Sequence, residues 1–133
     1  MTLDNFYFII CAVIKMYEVI FYRDEKGRVP VEEYLIELAE KGDKDSRIKF
    51  NKIQEYIELL TEYGTRAGEK VVKHIEGKIY ELRPLKDRIL FCVYVNGVFV
   101  LLHPFRKTTR KTPKSEIEKA KREYEDLMRR GID

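Results

Sequence analysis

The amino-acid sequence predicts a single α+β domain with the element order β-α-α-β-β-β-α. Two observations predict this class: apolar residues recur at helical spacing between residues 30 and 63, and the period changes to two between residues 71 and 103. The chain has 133 residues and 44% hydrophobic content. A domain of this size can form one core without metals or crosslinks, whereas two domains would each be too small.

The N-terminal half is predicted to contain one strand and two helices. Tyr17 to Arg23 alternates and is rich in β-forming residues, which predicts a strand. Pro30 suits the first position of a helix that Gly42 ends. A second helix is predicted from Asp45 to Tyr63, with Gly64 as its C-cap. The core-facing positions predicted for these helices are Val31, Tyr34, Leu35 and Leu38, then Ile48, Ile53, Tyr56, Ile57 and Leu60.

The pattern after residue 70 predicts antiparallel strands and a last helix. Strands are predicted from Lys78 to Arg83, Arg88 to Val95 and Val98 to His103, and Val71 to Ile75 is left open as a short additional strand. Asn96-Gly97 tolerates the positive φ of a type I′ turn, so the strands that it joins are antiparallel neighbours. Thr112-Pro113 is predicted to cap and start a helix that Gly131 ends. Its apolar stripe is Ile117, Ala120, Tyr124, Leu127 and Met128.

Residues 1–15 are expected to be an extension upstream of the domain, which occupies residues 16–133. Phe6 to Ile14 is an apolar run too short to span a bilayer, and no base precedes it as in a secretory signal. Two alternatives stay open for this segment, namely an additional edge strand and an apolar arm that docks on a partner.

Several classes of enzyme are disfavoured by what the sequence lacks. It contains no Gly-x-x-x-x-Gly-Lys-Ser/Thr, Gly-x-Gly-x-x-Gly or Gly-x-Ser-x-Gly motif, which disfavours nucleotide-cofactor enzymes and serine hydrolases. The histidines are His74 and His103 and there is no Cys-x-x-Cys pair, so a zinc site has too few ligands, and we expect neither metal nor cofactor. Cys11 and Cys92 lie in apolar stretches, which predicts buried thiols and a reducing, cytoplasmic location.

Charge is distributed unevenly along the chain. Residues 1–69 carry 10 bases and 14 acids, whereas residues 70–133 carry 16 bases and 9 acids. The net charges of −4 and +7 suggest that the C-terminal half faces an anion, and nucleic acid is the commonest large one. Chance clustering on a solvated surface explains the charge equally well.

Two groups of polar residues on the C-terminal strands are candidates for chemistry. Alternation places Glu81 and Arg83 on one strand face, and Arg88 starts the next strand, so two guanidiniums can approach one phosphate. A cross-strand salt-bridge network on an exposed face is an equally good interpretation. His103, Phe105 and Lys107 share one parity, so a base of RNA could stack on the ring while Lys107, Arg110 and Lys111 hold phosphates. His103 and Phe105 could equally be core residues, and the bases of the loop could be solvated.

Four strings follow one another in the C-terminal half: GKIYELR at residues 77–83, Arg88 ahead of an apolar strand, VLLHPFRKTTRKTP at residues 100–113, and IEKAKREYEDL. Their order and spacing resemble the HigB-like, phage-derived branch of the RelE/ParE toxin superfamily, over roughly Met16 to Leu127. The resemblance implies a small twisted antiparallel sheet with two N-terminal helices packed on one face. The opposite, concave face would accept mRNA in the ribosomal A site.

The resemblance also implies an activity and a partner. A type II toxin of this kind is a ribosome-dependent mRNA endoribonuclease in the cytoplasm, which inhibits translation. The reaction is metal-free transesterification, in which the 2′-OH attacks the adjacent phosphate and leaves a 2′,3′-cyclic phosphate and a 5′-hydroxyl. The partner would be a helix-turn-helix, HigA-like antitoxin, and no membrane is involved.

The family's site residues carry over position by position. Glu81 stands where relatives place a catalytic lysine or another polar group, and Arg88 matches the arginine that opens the next strand. The hypothesis is that Glu81 is the base and that Arg83 and Arg88 clamp the phosphate. His103 or Lys107 would then be the acid. The expected RNA-binding residues are Phe105, Arg106, Arg110, Lys111 and Lys114.

Two other functions fit the same resemblance or the same charge. A ParE-like toxin poisons DNA gyrase through protein contact and needs no catalytic constellation. A non-catalytic RNA-binding or phage regulatory module would use the +7 half for phosphate contacts alone.

Overall fold

A computed structural model describes residues 16–132 of the chain, and this part contains three α-helices and a five-stranded sheet. The elements are β1 (Val19–Phe21), α1 (Pro30–Lys41), α2 (Lys44–Tyr63), β2 (Val72–Glu76), β3 (Ile79–Leu82), β4 (Asp87–Val93), β5 (Phe99–Arg106) and α3 (Lys114–Arg130). The predicted α+β class is confirmed. None of these helices is long and apolar enough to cross a membrane. The extension expected for residues 1–15, with Cys11, lies outside the described residues.

The sheet has the strand order β1-β5-β4-β3-β2. The predicted element order lacked one strand, because the segment left open at Val71 to Ile75 does form β2 and pairs with β3. The sheet is antiparallel as expected except at one edge, where β1 pairs in parallel with β5, with Val19 opposite Phe99. A parallel pair needs a long crossover connection, and every other element except α3 lies between these two strands in the chain.

Two turns set the register of the antiparallel part. Asn96 and Gly97 have φ of 60° and 74°, and the Val98 N–H donates to the Val95 carbonyl at 3.4 Å. This is the predicted type I′ turn. The turn between β3 and β4 places Leu85 at φ 56°, a left-handed conformation that is uncommon for a residue with a side chain.

The lengths of β1 and β5 differ from the prediction. The strand β1 is limited to Val19–Phe21, whereas β5 continues past His103 to Arg106. Pro104 is tolerated within β5 because β1 pairs only with Phe99 to Leu101, so no neighbour needs the missing N–H group.

The two helices α1 and α2 pack on one face of the sheet, as predicted. Their buried residues Val31, Leu38, Ile53 and Leu60 join Leu82, Ile89, Phe91 and Leu101 of the sheet in one core. The prediction that Ile48 faces this core was wrong, because the side chain is 45% exposed. At 100° per residue, Ile48 lies about 140° around the helix from Ile53.

The opposite face is partly covered by α3. Ala120 and Leu127 of this helix pack on a second core formed by Leu90, Cys92, Val100 and Leu102 of the sheet. Met128, predicted to lie in the same stripe, is 49% exposed, because it is rotated about 100° from Leu127. Cys92 is buried as predicted, and burial raises the pKa of its thiol to about 12, which leaves it unreactive near neutral pH.

Candidate functional site

A narrow cleft lies on the α3 face of the sheet, next to the loop of residues 107–113 that joins β5 to α3, here called the basic loop. The cleft is lined by Lys73, Glu81, Arg83, Arg88, Phe105, Lys107, Arg110 and Thr112. Five of these side chains are positively charged and one is a carboxylate. The cleft is therefore a strongly electropositive concavity.

Strand register brings these residues together. Lys73 of β2 lies opposite Glu81 of β3, and Arg88 of β4 lies opposite Phe105 of β5. Since side chains alternate along a strand, Glu81 points to this face, whereas Leu82 points into the core beneath α1 and α2. The predicted alternation along β3 is confirmed.

Glu81 is the centre of the cleft. Its side chain lies 3.7 Å (Oε2 to Nε) from Arg83 and 3.9 Å (Oε2 to Nε) from Arg88, and its other oxygen, Oε1, accepts a hydrogen bond of 2.7 Å from the Thr112 hydroxyl. The residue is only 3% exposed. A carboxylate at this depth needs such partners, because an unpaired buried charge is costly. The three charged residues do form a cross-strand network, but Glu81 and Arg88 are buried instead of lying on an exposed face.

Arg88 is held in place by the backbone of the preceding turn. Its Nη1 donates to the carbonyls of Leu85 and Asp87, each at 2.8 Å. Burial lowers the pKa of the Arg88 guanidinium, and the charge of Glu81 opposes this shift. An arginine stays protonated at neutral pH even so. The left-handed backbone of Leu85 thus contributes a carbonyl that fixes a charged group of the cleft.

The start of β4 is also fixed from the opposite side of the sheet. Asp87 is buried, and the Tyr34 hydroxyl of α1 donates to its Oδ2 at 2.8 Å. Burial and the carboxylate of Asp87 raise the pKa of Tyr34, so this hydroxyl keeps its proton. Arg83 is anchored separately, because its Nη1 donates to the Glu69 carbonyl at 2.8 Å. The two arginines of the cleft are therefore oriented by different elements.

The structure brings together six of the ten predicted site residues. Glu81, Arg83, Arg88, Phe105, Lys107 and Arg110 all line the cleft. Arg106, Lys111 and Lys114 are exposed and do not line it. Arg106 follows Phe105 on β5 and lies opposite Asp87, so strand alternation directs it to the face that carries α1 and α2.

His103 is the tenth, and the expectation that it shares a site with Lys107 was wrong. Its side chain is 1% exposed and lies beneath α3, with Nδ1 at 2.5 Å from Glu123 Oε1 and Nε2 at 3.4 Å from Glu116 Oε1. His103 and Glu81 do face the same side of the sheet, since both lie opposite Leu90. Coverage by α3 separates them, and strand parity does not predict that coverage.

Two residues of the cleft were missed by sequence reasoning. Lys73 lies on β2, the strand whose existence was left open. Thr112 was taken for a helix cap, but Pro113 is the N-cap of α3, no side chain caps it, and the Thr112 hydroxyl binds Glu81 instead. The two residues are 31 positions apart in the chain, so no local pattern indicates the contact.

The chain has similarities to known proteins in structure and in sequence. No curated protein matches the chain in sequence. Among solved structures, a chain in the crystal structure of the archaeal RelE-RelB complex from Pyrococcus horikoshii OT3 is similar, with 20% identity and a TM-score of 0.48. That alignment covers 71% of this chain and 98% of that chain.

A family model gives the clearer result. The model described as phage derived protein Gp49-like (DUF891) matches residues 35–125, which include α2, α3 up to residue 125, strands β2 to β5 and the whole cleft. The match confirms the resemblance to the HigB-like, phage-derived branch that the C-terminal strings indicate. The chain therefore belongs to the Gp49-like family of phage-derived proteins.

Proposed function

We propose that this protein is the toxin of a type II toxin–antitoxin system and that it cleaves mRNA on the ribosome. One observation carries the proposal: two guanidiniums converge on one buried carboxylate within a cleft that holds five positive side chains. Membership of the phage-derived, HigB-like family supports the toxin class. The electropositive cleft supports an anionic substrate such as RNA.

The cleft suits the stabilisation of a phosphate that gains charge during transesterification. The 2′-hydroxyl would lose its proton to solvent water as its oxygen bonds to phosphorus, and the bond to the 5′-oxygen would break as that oxygen gains a proton. Charge accumulates on the non-bridging oxygens during this exchange. Arg83 and Arg88 would donate hydrogen bonds to those oxygens. Arginine pairs bind phosphate bidentately and keep their charge, and donors of this kind stabilise the transition state most when solvent is excluded.

Proton transfer and positioning fall to different residues of the cleft. Lys107 is half-buried in the cleft and is the candidate acid for the leaving 5′-oxygen, since His103 is buried elsewhere. The geometry favours Glu81 as a positioning residue over the base first hypothesised. One of its oxygens is bound by Thr112, and the other faces two guanidiniums.

Binding of the rest of the RNA strand would use the outer residues. Phe105 is half-buried at the edge of the cleft, where a base can stack on its ring. Lys73 and Arg110 lie on β2 and on the basic loop, and each could hold a flanking phosphate. The strand would then cross the sheet from β5 towards β2.

The proposed partner is a helix-turn-helix antitoxin of the HigA-like kind. An acidic segment of such a protein would complement the charge of the cleft and exclude RNA from it. Co-expression should therefore restore growth, and addition of the antitoxin should block binding of RNA to the cleft.

The proposal is tested by induced expression in bacteria with primer extension on a reporter mRNA. Two lysines of the same loop give a matched pair, because Lys107 lines the cleft and Lys111 does not. We expect growth arrest and new, translation-dependent 5′ ends with the wild type and with Lys111→Ala, and far fewer ends with Lys107→Ala. Arrest without new ends would instead indicate a gyrase poison, and growth without arrest would indicate a binding module.

A further inference from the structure

Near the end of the basic loop, the hydroxyl of Thr112 contacts the cleft and does not cap the helix that follows. We propose that Thr112 is a positioning residue: its hydroxyl holds Glu81 and closes the basic loop onto the two arginines. This inference rests on the proposed function for its catalytic consequence. Its structural consequence, the ordering of the loop, does not depend on that function.

The first step is the orientation of the carboxylate. Glu81 Oε2 faces Arg83 and Arg88, and Oε1 receives its hydrogen bond from Thr112 at 2.7 Å. Without the hydroxyl, Oε1 would be a buried acceptor that has lost this donor. The carboxylate would then turn towards another donor, and its contacts with both guanidiniums would change.

The second step is the position of the loop. Its first residue is fixed by the Lys107 N–H, which donates to the Lys86 carbonyl at 2.8 Å, and its end is fixed by Thr112. The side chains of Lys107 and Arg110 enter the cleft between these two anchors. Loss of the second anchor would release the segment that carries Arg110.

The third step is the place of Thr112 relative to the helix. Pro113 is the N-cap of α3 and has no side chain that can cap it, so Thr112 stands one residue ahead of the capping position. Its hydroxyl donates to Glu81, which is 31 positions away in the chain. The contact therefore joins the end of the basic loop to the cleft and has no part in capping the helix.

The test compares three variants of purified protein in a translation extract. Thr112→Val removes the hydroxyl, Thr112→Ser keeps it, and Thr109→Val is the control, because the Thr109 hydroxyl donates within the loop to the Lys111 carbonyl. We expect Thr112→Val to lower kcat by about 10- to 100-fold, since hydrogen bonds to charged groups are the stronger kind. Serine should restore most of the rate, and the control should resemble the wild type.

Amide hydrogen exchange over residues 107–112 is measured on the same proteins, with rates normalised to folded protein. Exchange should become faster in Thr112→Val only. A serine variant as slow as the valine variant, or an equal loss in Thr109→Val, would overturn the inference. If the wild type cleaves no mRNA, the proposed function fails, and exchange alone decides: faster exchange in Thr112→Val supports the anchor, and unchanged exchange contradicts it.

Discussion

Two polar residues on the same face of the sheet lie in opposite environments. Glu81 and His103 both flank Leu90 in the cross-strand register, one on β3 and the other on β5. Glu81 lies in a cleft with five positive side chains, whereas His103 lies beneath α3 with Glu116 and Glu123. The difference is which residues α3 covers.

The balance of charge on this face of the sheet follows its coverage by α3. Beneath α3 the imidazole faces carboxylates supplied by the covering helix, and its Nδ1 is hydrogen-bonded to Glu123, whereas Nε2 lies 3.4 Å from Glu116 without a hydrogen bond. In the cleft the single carboxylate is outnumbered, and the excess positive charge is available to an anion. The part of this face beneath α3, here called the covered half, is therefore expected to determine stability. The part that forms the cleft, here called the open half, is expected to determine activity.

The largest effect is expected in the open half. Arg88→Lys keeps a positive charge but loses the bidentate fork, so the rate of mRNA cleavage should fall by about 100- to 1,000-fold. The free energy of unfolding should change by much less than the activation free energy of cleavage. Cleavage in a translation extract and urea unfolding measure the two quantities, and a rate close to the wild-type value would break the assignment of Arg88 to the phosphate.

In the covered half we expect a large effect on stability and a small effect on the rate of cleavage. His103→Leu leaves Glu123 buried without its imidazole, and the free energy of unfolding should fall by about 2 to 4 kcal/mol. Cleavage per folded molecule should stay near the wild-type rate. The double variant His103→Leu/Glu123→Leu should recover part of the stability, because it removes both polar groups. Loss of cleavage by folded His103→Leu protein would return this residue to the site.

A smaller effect concerns how α3 is held over the covered half. Asp126 accepts hydrogen bonds from Arg130 Nε at 2.8 Å and from the Tyr22 hydroxyl of the segment after β1. The hydrogen bonds from Arg130, more than any other contact, hold the pKa of Asp126 below its usual range. Because the folded-state pKa is the lower one, this stabilisation is present above the ordinary value of about 3.9 and is lost as the pH falls through it towards the folded-state pKa.

Asp126→Asn should therefore lower the free energy of unfolding by about 1 to 2 kcal/mol at pH 7 and flatten its decline at acid pH. Urea unfolding at a series of pH values between 2 and 7 measures both changes. Glu125→Gln, an exposed neighbour on the same helix, is the control and should keep the wild-type profile. An unchanged decline in Asp126→Asn would show that other groups cause it.

The smallest effect is expected at Leu85, the left-handed residue beside the cleft. Its side chain is 48% exposed, so Leu85→Gly removes backbone strain with little loss of packing and keeps the carbonyl that binds Arg88. A gain of about 0.5 kcal/mol is expected, since relief of the left-handed strain exceeds the entropic cost of glycine. Lys86→Gly, which relieves no such strain, should be destabilising in the same thermal unfolding experiment.

Local signals in the sequence predicted much of the framework. Pro30 and Gly42 bound α1 within one residue of the prediction, and Asn96-Gly97 forms the predicted turn. Alternation along β3 places Glu81 and Leu82 on opposite faces, as expected. These features depend on residues close together in the chain, where steric and hydrogen-bonding preferences act directly.

Features that depend on distant residues were not predictable in the same way. Nothing in the pattern of β1 indicates a parallel pairing with β5, which is about 80 residues away. The burial of His103 depends on which side chains α3 places over it, and the Thr112 contact depends on the path of the basic loop. The arginines were predictable because adjacent strands bring them together, but the partners that orient them were not.

The activity proposed for the cleft is cleavage of RNA by attack of the RNA's own 2′-hydroxyl on the adjacent phosphate. The direct test uses ribosomes programmed with an mRNA that carries one 2′-deoxynucleotide on the 5′ side of a cut mapped by primer extension. We expect the deoxy substrate to stay intact there and the all-ribose control to yield a 5′-hydroxyl fragment that a polynucleotide kinase labels directly. Cleavage of the deoxy substrate, or a 5′-phosphate on the product, would exclude attack by the 2′-hydroxyl.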